Sequence, residues 1–569
     1  MPARLISDCD AVPAYPGAPI ERHPFVIEPA GRYELKDGAR FWYLDFHWPR
    51  GLTPMGSLYL HDCYAWGTQL AASQLPLPSG DGLAPRLVGT HVYAAQIPPP
   101  GPIDVALRAS RIAKTLPRFI DAFPQLWADR QAELDEAFAA FVTDDWKGHT
   151  LEDLEAALLS ARHLQKRAWE IHFELMYPLL ASHLQFAAKC EELGVPKERV
   201  PLFVQGYDNK ILACDRELWR LALLARESGL GATFKEMPAW RLAKALAESS
   251  AASDWRVAFD SFLAEFGWRT EGIADVALAP WREDPTPALG TIKTILESPD
   301  DWDFDRRHQD AVDEREHAVA LTREELPSAA REQFDEALTL VQHANFSWWN
   351  DEHNHYIDLR ATIPLRMVCL EIARRARCPR PDDILFLFFD EARSICRGDV
   401  NWSDLAATAS ARRDHYEEWA ALRDAMPPLV GAIPERVDDP IMIEIFGMRE
   451  EYLLAARGAS QSELRGIGVS PGVTRGRAVV LRSADELHQV RHGEILVCEA
   501  TSPNWTSAFT KIAGCICDVG GMLTHAAIVA REYRIPCIVG AGDATRRIRN
   551  GDHVEIDGSS GRIRIVEAA

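Results

Sequence analysis

Several things are scarce in this sequence, and each scarcity excludes something. No stretch of the 569 residues approaches the roughly eighteen uninterrupted apolar residues that a membrane helix needs, so a membrane role is not expected. The opening MPARLISDCDAVPAYPG has no apolar core of signal-peptide length, and a cytoplasmic location is the expectation. There is no Lys/Arg-rich run, and the formal net charge is −22. Such a chain repels phosphate backbones, which argues against a nucleic-acid partner. The 11 cysteines contain no CxxC pair. Cys515 and Cys517 are nearest to each other, on alternate strand positions that share a face without favourable disulfide geometry. The cysteines read as reduced core thiols, with a redox or zinc role as the minor reading. No repeat of fixed period is present, and no Walker-type loop.

What is present divides into textures. The length suggests two to four domains, and 47% hydrophobic with 26% charged residues is ordinary for globular protein. Residues 1–125 are rich in Pro, Gly, Trp and Tyr, with β-like runs such as RLVGTHVYAAQI. From about residue 126 to 456 apolar residues recur at three- and four-residue spacing, as in LEDLEAALLSARHLQKRAWEIHFELMY, which predicts amphipathic helices. The small polar residues 457–463 suit a linker. Beyond them GRAVVL, EILVCEA, GCICDV and IPCIVGA read as strands, and DHVEIDGSSGRIRIV as a hairpin. The expected fold is multidomain: a mainly α-helical domain over 1–456 with a small β-containing N-terminal part, then a C-terminal α/β domain over 464–569.

The chemistry concentrates in GGMLTHAAIVARE, residues 520–532. Gly520 and Gly521 permit a tight turn after the strand CICDV. Thr524 is a good helix N-cap. His525 then opens the helix, beside free backbone N–H groups and the positive end of the helix dipole. A phosphoryl group on that imidazole would be stabilised there, as anions are at helix starts. Neutral imidazole is a fair nucleophile near pH 7 and a good leaving group. A capped helix with a partly buried histidine is the plainer alternative. The glycines of GIGVSPG do not make a dinucleotide site, because Pro471 breaks the expected helix and no strand–loop–helix unit surrounds them.

GGMLTHAAIVAREYRIPCIVG closely resembles the phosphohistidine signature of the phosphoenolpyruvate-utilising enzymes, which include phosphoenolpyruvate synthase, pyruvate phosphate dikinase, rifampicin phosphotransferase and phenylphosphate synthase. The resemblance runs back through GIGVSPGVTRGRA and EILVCEATSPNWTSAF and covers 464–569; Met522-Leu523 departs from it, where many relatives have smaller or hydroxyl residues. It implies a swivelling domain in which His525 is the phosphoryl carrier and Gly520, Gly521 and Thr524 form its loop. The earlier part of the chain is similar, more weakly, to the acceptor region of rifampicin phosphotransferases and to the swivel-bearing subunit of phenylphosphate or cresol phosphate synthase. The carrying stretches are WYLDFHWPRGLTPM, FGWRTEGIADVALAPWREDP, and NDEHNHYIDL followed by DDILFLFFDEA. Nothing in 1–456 resembles an ATP-grasp domain. The resemblance therefore implies a separate ATP-grasp subunit that binds ATP with Mg²⁺ or Mn²⁺ and charges His525. The acceptor domain would deliver the phosphoryl group to the hydroxyl of a small aromatic such as a phenol, cresol or benzylic alcohol. A phosphocarrier scaffold, and a split antibiotic phosphotransferase, are the alternatives.

SWWNDEHNHYIDL gathers the acceptor-site residues. On a helix Glu352 shares a face with His355 and with Tyr356, and Asp351 with His355. His353 and His355 lie about 200° apart on such a helix, so no metal is expected there unless the segment is extended. One reading makes Glu352, His353 or His355 the base that takes the acceptor proton; another makes them buried polar residues satisfying one another. By resemblance Glu352 and His353 match a Glu-His pair, with His355 where a basic residue is expected. Trp348 and Trp349 could wall an aromatic substrate or belong to the core. Arg269 could hold the phosphoryl oxygens, or pair with Glu271 or Asp275. His47 and Arg50 are weaker candidates of this kind, and His172 reads as a core histidine.

Overall fold

The computed structural model describes residues 40–75, 80–98, 101–143, 146, 148–298, 303–456 and 464–569. The expected linker 457–463 lies outside the described residues. The architecture is multidomain and mostly helical, with a small N-terminal sheet and a C-terminal barrel-like sheet. Among the described residues no helix is long and apolar enough to cross a membrane. The chain divides into two compact units: Met1–Ala181, Gly272–Leu278 and Tyr356–Pro434 form the first, and Ser182–Glu271, Ala279–His355 and Glu435–Ala569 the second.

In the first unit, strands β1 (Phe41–Leu44), β2 (Leu83–Val88), β3 (His91–Gln96) and β4 (Leu429–Gly431) form an antiparallel sheet of order β2-β3-β1-β4. RLVGTHVYAAQI is thus a hairpin, with Val88 opposite His91. Its turn needs Gly89, which has φ +62° and sits where a Cβ would strike the Trp419 ring. Helix α1 (Pro102–Val142) starts well before the 126 read from the pattern. Pro117 and Pro124 lie inside it; each removes one backbone donor without ending the helix, because the packed face of Leu116, Ile120, Phe123 and Trp127 holds its course. Helix α2 (Leu151–Glu192) contributes Leu154, Leu158 and Ala161 to the core of this unit, against Leu365, Val368, Ile372 and Ile384. Each of the leucine, valine and isoleucine side chains so buried stabilises by about 1.5–3 kcal/mol.

The second unit has helices α3 (Lys210–Glu227), α4 (Ser253–Phe266) and α5 (Thr286–Leu296), whose core is Leu218, Leu221, Trp255, Phe262, Leu289 and Ile292. Further along the chain are α6 (Phe304–Glu325), α7 (Ser328–His343) and α8 (Phe346–Tyr356), the last ending at the unit boundary.

Residues 464–569 add strands β5 (Leu464–Arg465), β6 (Ile467–Ser470), β7 (Val473–Val480), β8 (Ile495–Cys498), β9 (Gly514–Cys517), β10 (Cys537–Val539), β11 (His553–Asp557) and β12 (Arg562–Glu567), in the order β5-β12-β11-β7-β8-β9-β10-β6. β7 through β10 are parallel, and β8, β9 and β10 are buried throughout. That burial is why ILVC, GCIC and CIV are apolar without alternation. Cys498, Cys515, Cys517 and Cys537 all pack in this interior as free thiols, and contacts with Cys515 and Cys517, then burial, hold the Cys498 thiol above the ordinary range. Helix α9 (His525–Glu532) crosses from β9 to β10 and buries Ala526, Ala527, Val529 and Ala530 against the sheet.

Candidate functional site

The C-terminal ends of the parallel strands β8 and β9 lie side by side, Cys498 opposite Cys517. The loops that follow them therefore meet, as ligand-binding loops do at the carboxyl ends of parallel strands. The β9 loop turns at Gly520, φ +120°. Gly521 runs so close to the backbone at Glu444 that a Cβ would fall 2.3 Å from the Glu444 carbonyl oxygen. Only glycine allows that approach.

Thr524 occupies the N-cap with extended backbone, φ −79° and ψ 160°. Its hydroxyl donates to Gly521 O at 2.8 Å instead of accepting from the first turn, so it pins the loop and leaves the helix-start N–H groups uncapped by it. His525 is the first residue of α9 and 9% exposed. Thr501 Oγ1 lies 2.9 Å from its Nδ1, and Thr506 Oγ1 lies 3.4 Å from its Nε2. Burial, with the charge of Arg269 adding to it, pushes the imidazole down to about 3. The ring is neutral at physiological pH, the form that can act as nucleophile.

Arg269 is 2% exposed. Its Nη1 donates to Cys214 Sγ at 3.2 Å, and its guanidinium lies 4.4 Å from the Trp281 ring centre. Glu271, one of the pairing partners weighed from sequence, accepts from Trp281 Nε1. Asp275, the other, belongs to the first unit, where it accepts from Ala277 N at 2.9 Å. The charge of Arg269 also bears on Asp215, next to Cys214 on α3. Burial raises that carboxyl to about 7 against the opposing pull of Arg269.

Segment 346–356 is helical, so His353 and His355 do fall on different faces. Glu352 Oε2 accepts from Lys210 N at 2.6 Å and so caps the start of α3, where Asn209 Oδ1 also accepts from Leu212 N. His353 Nδ1 lies 2.8 Å from Trp349 O, and its ring stacks on Trp349 at 4.1 Å and 12°. His355 sits edge-on to Phe266, ring centres 5.9 Å apart. Trp349 is fully buried, while half-buried Trp348 donates Nε1 to Asp208 O at 2.8 Å. Burial, then the nearby Glu532 and Asp215, hold the Asp351 carboxyl well above the usual range, with Arg531 opposing.

The remaining sequence candidates lie in the first unit. Tyr356 meets Trp127 edge-on at 5.7 Å. His47 Nδ1 lies 2.5 Å from Asp45 Oδ1. Arg50 forms an exposed pair with Glu417 at 3.4 Å, and His172 approaches Asp358 at 3.3 Å.

Within the second unit the charge of Arg269 thus bears on His525. The unit adds three residues that the sequence reading did not single out: Thr501, Thr506 and Asp215. The two threonines were legible in principle, since TSPNWT follows the strand that neighbours GCIC. Asp215 was not, because nothing in DRELWRLALLARE tells a buried acid from an exposed one.

Residues 490–561 match the mobile domain of the PEP-utilising enzymes, and residues 172–350 match the fourth domain of rifampicin phosphotransferase. The chain is 27% identical to chondramide synthase of Chondromyces crocatus over 93% of its length and 14% of that protein's. It is 29% identical to an uncharacterized phosphotransferase, YvkC, of Bacillus subtilis over 74% of the chain and 50% of the relative. It is 28% identical to a rifampicin phosphotransferase of Streptomyces sp over 55% of the chain and 34% of the relative. The chain therefore spans half or less of the length of each of these relatives.

Proposed function

We propose that this member of the PEP-utilising enzyme family is a phosphotransferase subunit that carries a phosphoryl group on His525 to the hydroxyl of a small aromatic acceptor. The observation that carries the reading is the neutral imidazole of His525 at a helix start, between Thr501 and Thr506 and under the influence of the charge of Arg269. In the first half-reaction a ring nitrogen attacks the β-phosphorus of ATP; the P–N bond forms, the P–O bond to AMP breaks, and water then cleaves off the γ-phosphoryl group as phosphate, leaving phosphohistidine. In the second, the acceptor oxygen attacks the phosphohistidine, the O–P bond forms, the P–N bond breaks, and a base takes the hydroxyl proton. Arg269 and the N–H groups of α9 would offset charge on the moving phosphoryl oxygens.

The donor is assigned to a separate ATP-grasp subunit that holds ATP and Mg²⁺ or Mn²⁺, giving AMP and phosphate. The aromatic acceptor is carried over from the family resemblance; the rings of Trp281, Phe262 and Phe266 belong to the core of the unit. A phenol, with a pKa near that of Tyr, about 10, would need a base. The match of 172–350 to a rifampicin phosphotransferase domain favours a second reading, an antibiotic hydroxyl as acceptor.

The test is to combine the chain with an ATP-grasp subunit and labelled ATP, then screen phenol, cresols, benzyl alcohol and rifampicin. Label on His525 that passes to a phenol or benzylic alcohol supports the first reading, and label that passes only to rifampicin supports the second. Full product formation by His525→Ala would refute both.

A further inference from the structure

The second unit contains a cleft of about 770 Å³ that His525 does not line. One wall comes from the helical part, with His183 and Leu184 on α2 and Ser347 on α8. The other comes from Tyr452 and from the mobile domain, with Leu523 and Arg531.

Three polar side chains of this cleft are more than nine-tenths buried: His183, Ser347 and Arg531. Among the described residues, His183 Nδ1 and Ser347 Oγ are enclosed without a hydrogen-bond partner. Buried polar atoms are ordinarily paired, so two orphans on one cleft point to a group that completes them. Arg531 donates one nitrogen, Nη1, to the carbonyls of Val469 and Met522, which fixes the guanidinium to the mobile domain. Of the other cations on the cleft, Arg449 pairs with Glu444 at 3.7 Å, Lys197 pairs with Glu191 at 3.0 Å, and Arg465 is exposed at the rim. Burial holds the carboxyls nearest Arg531, those of Asp351 and Glu532, above their ordinary range. Burial and the charge of Arg531 push His183 down to about 4, leaving it a neutral hydrogen-bonding group. One guanidinium, one neutral imidazole and one hydroxyl match a monoanion; a phosphate dianion would leave a charge uncompensated.

We propose that this cleft binds a small apolar carboxylate, its anionic end at Arg531, Ser347 and His183 and its hydrocarbon body against Leu184, Tyr452 and Leu523. A ligand that touches both walls binds the arrangement in which the mobile domain lies on these helices. Its occupancy therefore favours that arrangement by the ratio of its affinities for the two states. The site is separate from the transfer site, and the proposal stands whether or not His525 carries phosphate.

Calorimetry on the full chain with benzoate, phenyl phosphate and benzyl alcohol tests it, with amide hydrogen exchange of residues 520–531 read in parallel. Benzoate is expected to bind with a dissociation constant below about 1 mM, and phenyl phosphate and benzyl alcohol at least about tenfold more weakly. Ser347→Leu, which fills the polar end, and Arg531→Gln should each weaken benzoate by about tenfold or more. Tyr452→Ala, at the apolar end, is the further variant should either of these fail to fold. His525→Ala should bind benzoate as the native chain does, and benzoate should slow exchange at 520–531. Absence of saturable benzoate binding, a preference for phenyl phosphate, or loss of binding in His525→Ala with retention in Ser347→Leu would each overturn the site. Binding that leaves exchange unchanged would overturn its effect on the mobile domain.

Discussion

Thr501 Oγ1 stands 2.9 Å from Nδ1 of His525. If Nδ1 carries the ring proton and gives it to Thr501, the lone pair lies on Nε2, on the side of Thr506. Thr501 would then choose the attacking nitrogen as well as orient the ring. Thr501→Val should slow phosphorylation of His525 by about tenfold, the worth of one hydrogen bond of about 1–1.5 kcal/mol. Time courses of labelling from the ATP-grasp subunit measure this. A native rate would mean that the ring is held by packing alone.

The depressed pKa of His525 has a consequence for stability. The folded imidazole sits at about 3 and an unperturbed one at 6.5. Below pH 6.5 the unfolded chain takes up a proton that the folded chain refuses, so stability falls as pH drops from 6.5 toward 3. Buried acids such as Asp215 and Asp518, both raised to about 7, act in the opposite sense. They are shared by the native chain and His525→Ala, so the difference between the two isolates the histidine. Urea unfolding at pH 7.5 and 5.5 should show the native chain losing about 1.4 kcal/mol more than the variant over the unit below 6.5. Equal losses would show that His525 is not held neutral by burial.

On the proposed mechanism Arg269 acts on the second half-reaction. Arg269→Gln removes the charge beside His525 and the cation over Trp281 together. Discharge of phosphohistidine to acceptor should fall by about 10²–10³, the scale of losing one donor to a developing charge. Charging of His525 by the separate subunit should change far less. The two are measured apart by isolating the labelled chain and timing its discharge. Equal loss in both halves would give Arg269 a structural role.

How far sequence reaches into this molecule differs from part to part. The C-terminal strands and the His525 loop were legible because their signals are local: β-branched runs, paired glycines, a threonine before a histidine. The hairpin around Gly89 was legible for the same reason. The start of α1 was obscured by Pro117 and Pro124, which end a helix by local rules and here lie inside one. The segment 346–356 was read as a helix with two histidines on different faces, and it is one. What spacing could not show is that Glu352 caps α3 from 142 residues away and that Trp349 is the plate on which His353 stacks. Asp215 was invisible because its raised pKa comes from burial, which outweighs the opposing charge of Arg269, 54 positions along the chain.

Asp215 changes where the acceptor base should be sought. Glu352 is engaged by a backbone N–H of α3 and His353 by a backbone carbonyl, so both have structural work that a base would have to leave. Asp215 has a carboxyl poised at about 7, its Oδ2 enclosed without a hydrogen-bond partner among the described residues, and Arg269 as neighbour. A base with a pKa near the working pH is the efficient one. Asp215→Asn should therefore leave charging of His525 intact and slow its discharge to acceptor by about 10²–10⁴. In the native chain discharge should rise with pH through about 7, as the carboxyl gives up its proton, and that rise should vanish in the variant. Glu352→Gln should instead cost about 0.5–2 kcal/mol of stability through the weakened cap, with discharge little changed. If Asp215→Asn discharges at the native rate while His355→Ala does not, the base lies on α8 after all, and the raised pKa of Asp215 reflects burial without catalytic use.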